Sequence, residues 1–296
     1  MASVTGLNTP TTNANEIPEM WSDLVIKFRQ ANLVMRNLVT DRSADLAGGG
    51  DIVHFPVTAA HTATAYTDGK RLSDNLAANT TGVVDLTVDQ FYFSPVMVQW
   101  TTNALAKYDI KADRMAAAGI AIATKIDSTL LALQSDLTAT DINTPAAADQ
   151  TGDLTLAHII SAYTTLNSSN VPTGDRAWVF HPTAYGELLG ISGNYFTSFD
   201  FRNGKPLENG VIGSILGSNV YQSSNVATLS TGSPAETGYA NMYFHKDAFG
   251  LAMVETPTVS MSWDEDTMSD LGSVRAAWGV KTLRADHGVV IRTVND

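Results

Sequence analysis

The chain has 296 residues, of which 44% are hydrophobic and 16% charged, with a formal net charge of −12. That length buries a core in one large domain or two modest ones, and the acidic balance excludes a general electrostatic hold on nucleic acid or anionic lipid. There are no cysteines, which excludes a disulfide framework and thiolate metal sites and fits a reducing cytoplasm.

The first twenty residues, MASVTGLNTPTTNANEIPEM, carry neither a basic nor an apolar leader region, so they do not read as a signal peptide. Residues 1–16 are polar and read as an extended arm or a disordered one. From Pro18 a helical face is marked by Trp21, Leu24, Val25, Phe28 and Met35, and the signal breaks near Asn37. Ala47-Gly48-Gly49-Gly50 is a flexible joint.

Ile52, Val53, Phe55 and Val57 then predict a strand. A second strand signal runs from Val84 to Trp100, where Val84, Leu86 and Val88 alternate with Asp85, Thr87 and Asp89. Between them lies a polar stretch that includes Tyr66-Thr67-Asp68-Gly69-Lys70-Arg71. A loop of that length either wraps the surface or projects to another molecule. Lys70 and Arg71 at its tip are either a solvated end or a charge contact to a neighbouring subunit.

Asp109 to Leu137 is the longest helical signal. Met115, Gly119, Ile122, Ile126, Leu130, Leu133 and Leu137 recur at intervals of three or four, one face of a helix roughly 40 Å long at 1.5 Å per residue. Asp109 is the expected N-cap, and small residues such as Ala117 and Ala121 let another element lie close. Lys111, Arg114 and Lys125 exclude a membrane span.

Residues 138–152 read as a linker. Leu156, Ile159, Ile160, Tyr163 and Leu166 predict a second helix, and Ala177 to Phe180 a buried strand. Pro182 opens a short helix that Gly190 ends. Residues 191–210 read as a surface loop, and GVIGSILGSNVYQSSNV as strands punctuated by glycine. Asn241 to His245 is a further strand. Two more strands are expected between Ser273 and Val294, around a turn at Asp286-His287-Gly288.

No catalytic constellation emerges. Around Ser192 the glycine spacing is wrong for a nucleophile elbow, and there is neither a Walker A motif nor GxGxxG. None of the six histidines, His54, His61, His158, His181, His245 and His287, stands in a zinc-binding spacing. Asp264-Glu265-Asp266 with Asp270 is the one acidic cluster, but Met268 and Arg275 occupy places where a calcium loop needs ligands. No catalytic, cofactor-binding or metal residue is therefore assigned.

The order of parts is similar to the major capsid protein of tailed bacteriophages, the Hong Kong ninety-seven type of fold that encapsulin compartments share. GVIGSILGSNVYQSSNV resembles the family's glycine-flanked strand ending in Val-Tyr-x-Ser-x-Asn. NVPTGDRAWVFHPTAYGELL resembles its strand, proline and short leucine helix. FHKDAFGLAMVETPTV and VRAAWGVKTLRADHGVVIRT resemble its C-terminus.

The resemblance implies an α+β chain with five regions: an N-terminal arm, 1–17; a helix and glycine joint, 18–50; and an extended β-hairpin loop, 51–100. A peripheral domain would combine 101–153 and 253–296 around the spine helix 109–137, and an axial domain would span 154–252. It implies a non-enzymatic major head protein, assembled in the host cytoplasm and carried in the virion, whose pentamers and hexamers close an icosahedral shell around packaged double-stranded DNA. Tyr66, Asp68, Lys70 and Arg71 in the loop would contact a neighbouring subunit. The implied partners are further copies of the chain, a separate scaffolding protein, a portal and a decoration protein, with no cofactor, membrane or specific nucleic-acid binding. Lys70 is available for the covalent cross-link that some relatives form, but no matched acceptor is identified. An encapsulin-like shell, a tail or fibre protein and a hydrolase with an unfamiliar site are the alternatives.

Overall fold

The computed structural model describes residues 33–46, 48–58, 81–106, 109–137, 139–142, 153–191, 211–231 and 236–294, with Ala63, Ala65 and Asp68. Of the face expected from Pro18 onward, Trp21, Leu24, Val25 and Phe28 lie outside the described residues. Met35 is fully buried in a 3-10 turn, Met35–Leu38. Strand β1 (Thr40–Asp41) follows. Gly49 and Gly50 take φ of +90° and +135°, which side chains rarely tolerate, so the joint needs glycine.

Strands β2 (Ile52–Thr58) and β3 (Thr81–Thr87) pair antiparallel over their whole length. The single strand signal from Val84 to Trp100 divides in two. A break at Val88-Asp89 starts β4 (Gln90–Gln99), which leaves the hairpin for another sheet. A short helix α1 (Trp100–Leu105) precedes the spine helix α2 (Ile110–Ala132). The Asp109 carboxylate caps α2 by accepting the Ala112 N–H at 3.1 Å. A 3-10 turn, Leu133–Asp136, completes the expected span.

Within the region read as a linker, Ala139–Ile142 forms β5. Helix α3 (Leu156–Ser168), strand β6 (Arg176–Phe180) and helix α4 (Pro182–Gly190) stand where expected. Then come β7 (Val211–Ile215), β8 (Ser218–Gln222), β9 (Thr228–Thr231) and β10 (Glu236–His245). The long β11 (Phe249–Asp264) carries no clean strand signal because it contains Pro257. Two bulges, between Met253 and Thr258, absorb that proline. Strands β12 (Ser269–Thr282) and β13 (Gly288–Val294) close the chain.

The strands form two main sheets beside the hairpin. One has the order β1-β11-β12-β4, the other β5-β13-β10-β6-β8-β7, with β9 against β10. Strands β12 and β13 do not pair with each other. A 3-10 turn, Ala285–His287, sends β13 into the seven-stranded sheet. Alternation shows that a strand exists but not which strand it joins. Residues 139–142 and 288–294, grouped by sequence with the spine helix, therefore share a sheet with β6, β7, β8, β9 and β10.

Helix α2 supplies one core to both sheets. Ala118, Ile122, Ile126, Leu130 and Leu131 are buried with Val274, Ala276 and Trp278 of β12 and with Val179, Met242 and Phe244 of the seven-stranded sheet. The other face of that sheet buries Trp178, Phe180, Tyr243 and Ile291 under α3 and α4. Arg176, 4% exposed, is held there by the carbonyls of Pro172 and Val171, the Asn167 side chain and the Tyr243 hydroxyl.

Candidate interaction surface

The β2–β3 hairpin rises from the four-stranded sheet on the side opposite α2. Seven paired residues at about 3.4 Å each make a ladder roughly 20 Å long. The Val88 N–H closes its base on the Asp51 carbonyl at 2.8 Å. Val53, Leu86 and Val88 bury against Ala252 and Ala277, two small residues on the sheet face below. The fit is closest at Gly279, where an added Cβ would lie 2.2 Å from the Thr87 carbonyl oxygen. A side chain there is barred by backbone, which cannot step aside as a rotamer can.

Beyond that seat the same face is bare. Phe91 is 71% exposed, Phe93 69% and Met97 55%, all at odd positions of β4. Their register partners on β12 are Ala277, Arg275 and Leu271. The even positions face the helix: Tyr92 stacks on Trp278 at 5.3 Å between centroids and lies under the Lys125 ammonium. At the other edge of the sheet, β1 pairs with only Gly250 and Leu251 of β11. Past this pairing Val259, Met261 and Trp263 are exposed along a strand edge that has no partner strand among the described residues. A groove of about 630 Å³ separates β4 from the first half of α2, between Val96, Val98, Ile110 and Ala117. Exposed edges and apolar rows of this kind invite another chain.

One buried carboxylate ties this region to the rest of the molecule. Asp127 of α2 is 3% exposed. It accepts N–H bonds from Val34 at 3.1 Å and Met35 at 2.9 Å, and from the Asn225 amide at 3.1 Å. The Ser223 hydroxyl donates to it at 3.4 Å. It thus joins the entry segment, the spine and the turn after β8. Sequence reasoning missed it, because its partners lie far off in the chain.

Of the four residues expected at the subunit contact, Asp68 is exposed, while Tyr66, Lys70 and Arg71 lie outside the described residues. The acidic cluster is the turn between β11 and β12. The Asp264 carboxylate accepts from the Asp266 N–H and the Thr267 hydroxyl, and Asp270 pairs with Lys111 at 2.7 Å. Among the described residues no group of three His, Asp or Glu is placed to hold a metal. His54 bonds Asp85 across the hairpin at 2.6 Å, and His61 lies outside the described residues. The Nδ1 atoms of His158, His181 and His245 accept backbone N–H groups at the starts of turns. Burial lowers the pKa of His158 and His181 from the usual value, which keeps these acceptors free of a proton.

A family model described as phage capsid protein matches residues 36–293. Solved structures share the whole architecture. One, from Mycobacterium phage Che8, is 27% identical with a TM-score of 0.72, over 93% of this chain and 96% of that one. The capsid structure of the cyanophage P-SCSP1u is 16% identical with a TM-score of 0.71, over 99% and 97%. The capsid of Ralstonia phage GP4 is 11% identical, also with a TM-score of 0.71, over 100% and 99%. No curated protein sequence matches the chain.

Proposed function

The chain belongs to the phage capsid protein family, and from that premise we propose how it builds a shell. It is a major capsid protein; its copies associate into an icosahedral head and reside in the virion. The observation that carries this is the family match from residue 36 to 293, on a fold shared end to end with phage capsids.

In our reading, pentamers and hexamers are the building units, assembled in the host cytoplasm around a separate scaffolding protein, with a portal at one vertex and a decoration protein outside. The packaged content is double-stranded DNA, held without specific contacts. The role is structural, not catalytic. Residues 1–17 act as the arm. Residues 51–87, rather than the whole of 51–100, form the projecting loop, because β4 is built into the four-stranded sheet. The four-stranded sheet with α2 forms the peripheral domain, and the seven-stranded sheet the axial one.

The loop reaches a neighbouring copy through Tyr66, Asp68, Lys70 and Arg71. Neighbouring copies cover Phe91, Phe93 and Met97. Many modest contacts of this kind add by multivalency. The net charge of −12 per copy opposes association, so added salt or divalent cations speed assembly by screening it.

Electron microscopy and sedimentation of the chain expressed alone test the reading. Closed shells, or capsomers that close once a scaffold is supplied, support it. A monomer that never assembles under any salt or scaffold condition contradicts it, and rods would place the chain in a tail.

A further inference from the structure

Two short turns carry the chain between the sheets. Lys246–Ala248 takes it from β10 to β11, and Ala285–His287 brings it back from β12 to β13. The turns pack against each other, and the Leu283 and Arg284 N–H groups both donate to the Ala248 carbonyl, at 2.8 and 3.3 Å. At this crossing His245 and His287 meet edge to face, 5.8 Å apart, each less than a tenth exposed. We propose that this imidazole pair is a proton-sensitive latch on the junction of the two sheets, closed while both rings are neutral and released when either takes up a proton.

The hydrogen bonds give the reason. His245 Nδ1 accepts the Asp247 N–H at 3.2 Å and so holds the first turn. A proton on that atom replaces an acceptor with a donor and ends the bond. His287 Nδ1 is buried and finds no hydrogen-bond partner among the described residues. As a bare lone pair it is tolerable, but as an N–H of an imidazolium it is a buried donor with nowhere to point. Acid therefore favours whatever opening brings these atoms to water.

The surrounding charges are mixed. Asp286 lies 4.0 Å from His287 Nε2, and Asp247 lies 3.7 Å from His245 Nδ1; both carboxylates are more than half exposed. Arg284 and Lys246 stand on the same turns. Asp247 also accepts the Thr40 hydroxyl of β1. Strand β1 brings Asp41. On β6, Arg176 is the register partner of His245, but its guanidinium is spent on Pro172, Val171 and Asn167. For His287, burial is the largest influence and lowers its pKa, Asp286 raises it, and Arg284 and His245 lower it further. The sign follows: the closed state is fully favoured above the ordinary histidine value and loses that advantage as pH falls through the lowered one.

Hydrogen exchange of the full chain, read by mass spectrometry from pH 7.5 to 5 and corrected for intrinsic rates, tests the latch. Peptides over 245–249 and 283–288 are expected to exchange at least about threefold faster at the acid end, while the middle of β12 stays unchanged. The double change His245→Gln with His287→Gln abolishes the acceleration. Should that variant fail to fold, two milder ones decide. Asp286→Asn, at an exposed site, moves the midpoint to lower pH, and Arg284→Gln moves it to higher pH. Uniform acceleration, no acceleration, or midpoints unmoved by both milder changes overturn the proposal.

Discussion

The two main sheets treat their apolar side chains in opposite ways. In the seven-stranded sheet both faces are covered, one by α3 and α4 and the other by the core it shares with α2. The large apolar residues exposed around it, such as Ile160, Leu189 and Leu216, sit singly on helices and a turn. In the four-stranded sheet, among the described residues, only the face under α2 and the small seat of the hairpin are covered. Phe91, Phe93 and Met97 stand bare on one side, and Val259, Met261 and Trp263 line an open edge. Folding therefore completes the first sheet and leaves apolar rows of the second exposed, which in the function proposed above other copies cover. A lone subunit carrying such rows is poorly matched to water, and association removes the mismatch.

Four variants sharpen that contrast, in descending order of effect on the stability of the subunit. Asp127→Ala strands the N–H groups of Val34 and Met35 in a buried site. It is expected to destabilise the subunit by about 3 kcal/mol in chemical denaturation. A change below about 1 kcal/mol would show that the node at Asp127 is ornamental.

Gly279→Ala drives a Cβ into the Thr87 carbonyl. A loss of about 2 kcal/mol is expected, together with faster amide exchange in Val53–Val57 while α2 keeps its protection. Equal loosening in both places would contradict the hairpin's being seated there. Lys111→Ala breaks a half-buried ion pair with Asp270, and about 0.5 kcal/mol is expected, shrinking with added salt. The smallest effect belongs to the joint change Phe91→Ser and Phe93→Ser. Both residues are exposed in the subunit, so melting is expected to move by no more than about 0.5 kcal/mol.

Much of this architecture was legible in the residues. The four-and-three spacing from Met115 to Leu137 marked the spine, Asp109 its cap, and Pro182 the first turn of α4, because these signals are local. What stayed hidden depends on remote partners. Pro257 disguised β11, and only the bulges explain how a strand holds it. The apolar residues after the turn at Asp286-His287-Gly288 said strand but not which sheet. Asp127 looked like one more helix residue, since Met35 and Asn225 lie 92 and 98 positions away. The bare row on β4 groups with the hairpin by sequence, because one strand-like stretch, Val84 to Trp100, runs through both β3 and β4. The loop tip that carries Lys70 and Arg71 is an expectation from composition alone and lies outside the described residues.

The central claim is that the four-stranded sheet is finished by neighbouring copies, and the Phe91→Ser, Phe93→Ser protein tests it most directly. Its assembly would be followed by sedimentation and electron microscopy beside the unaltered chain. The account predicts a subunit that melts normally yet yields no closed shells. Shells of normal size and yield from the doubly substituted chain would contradict it.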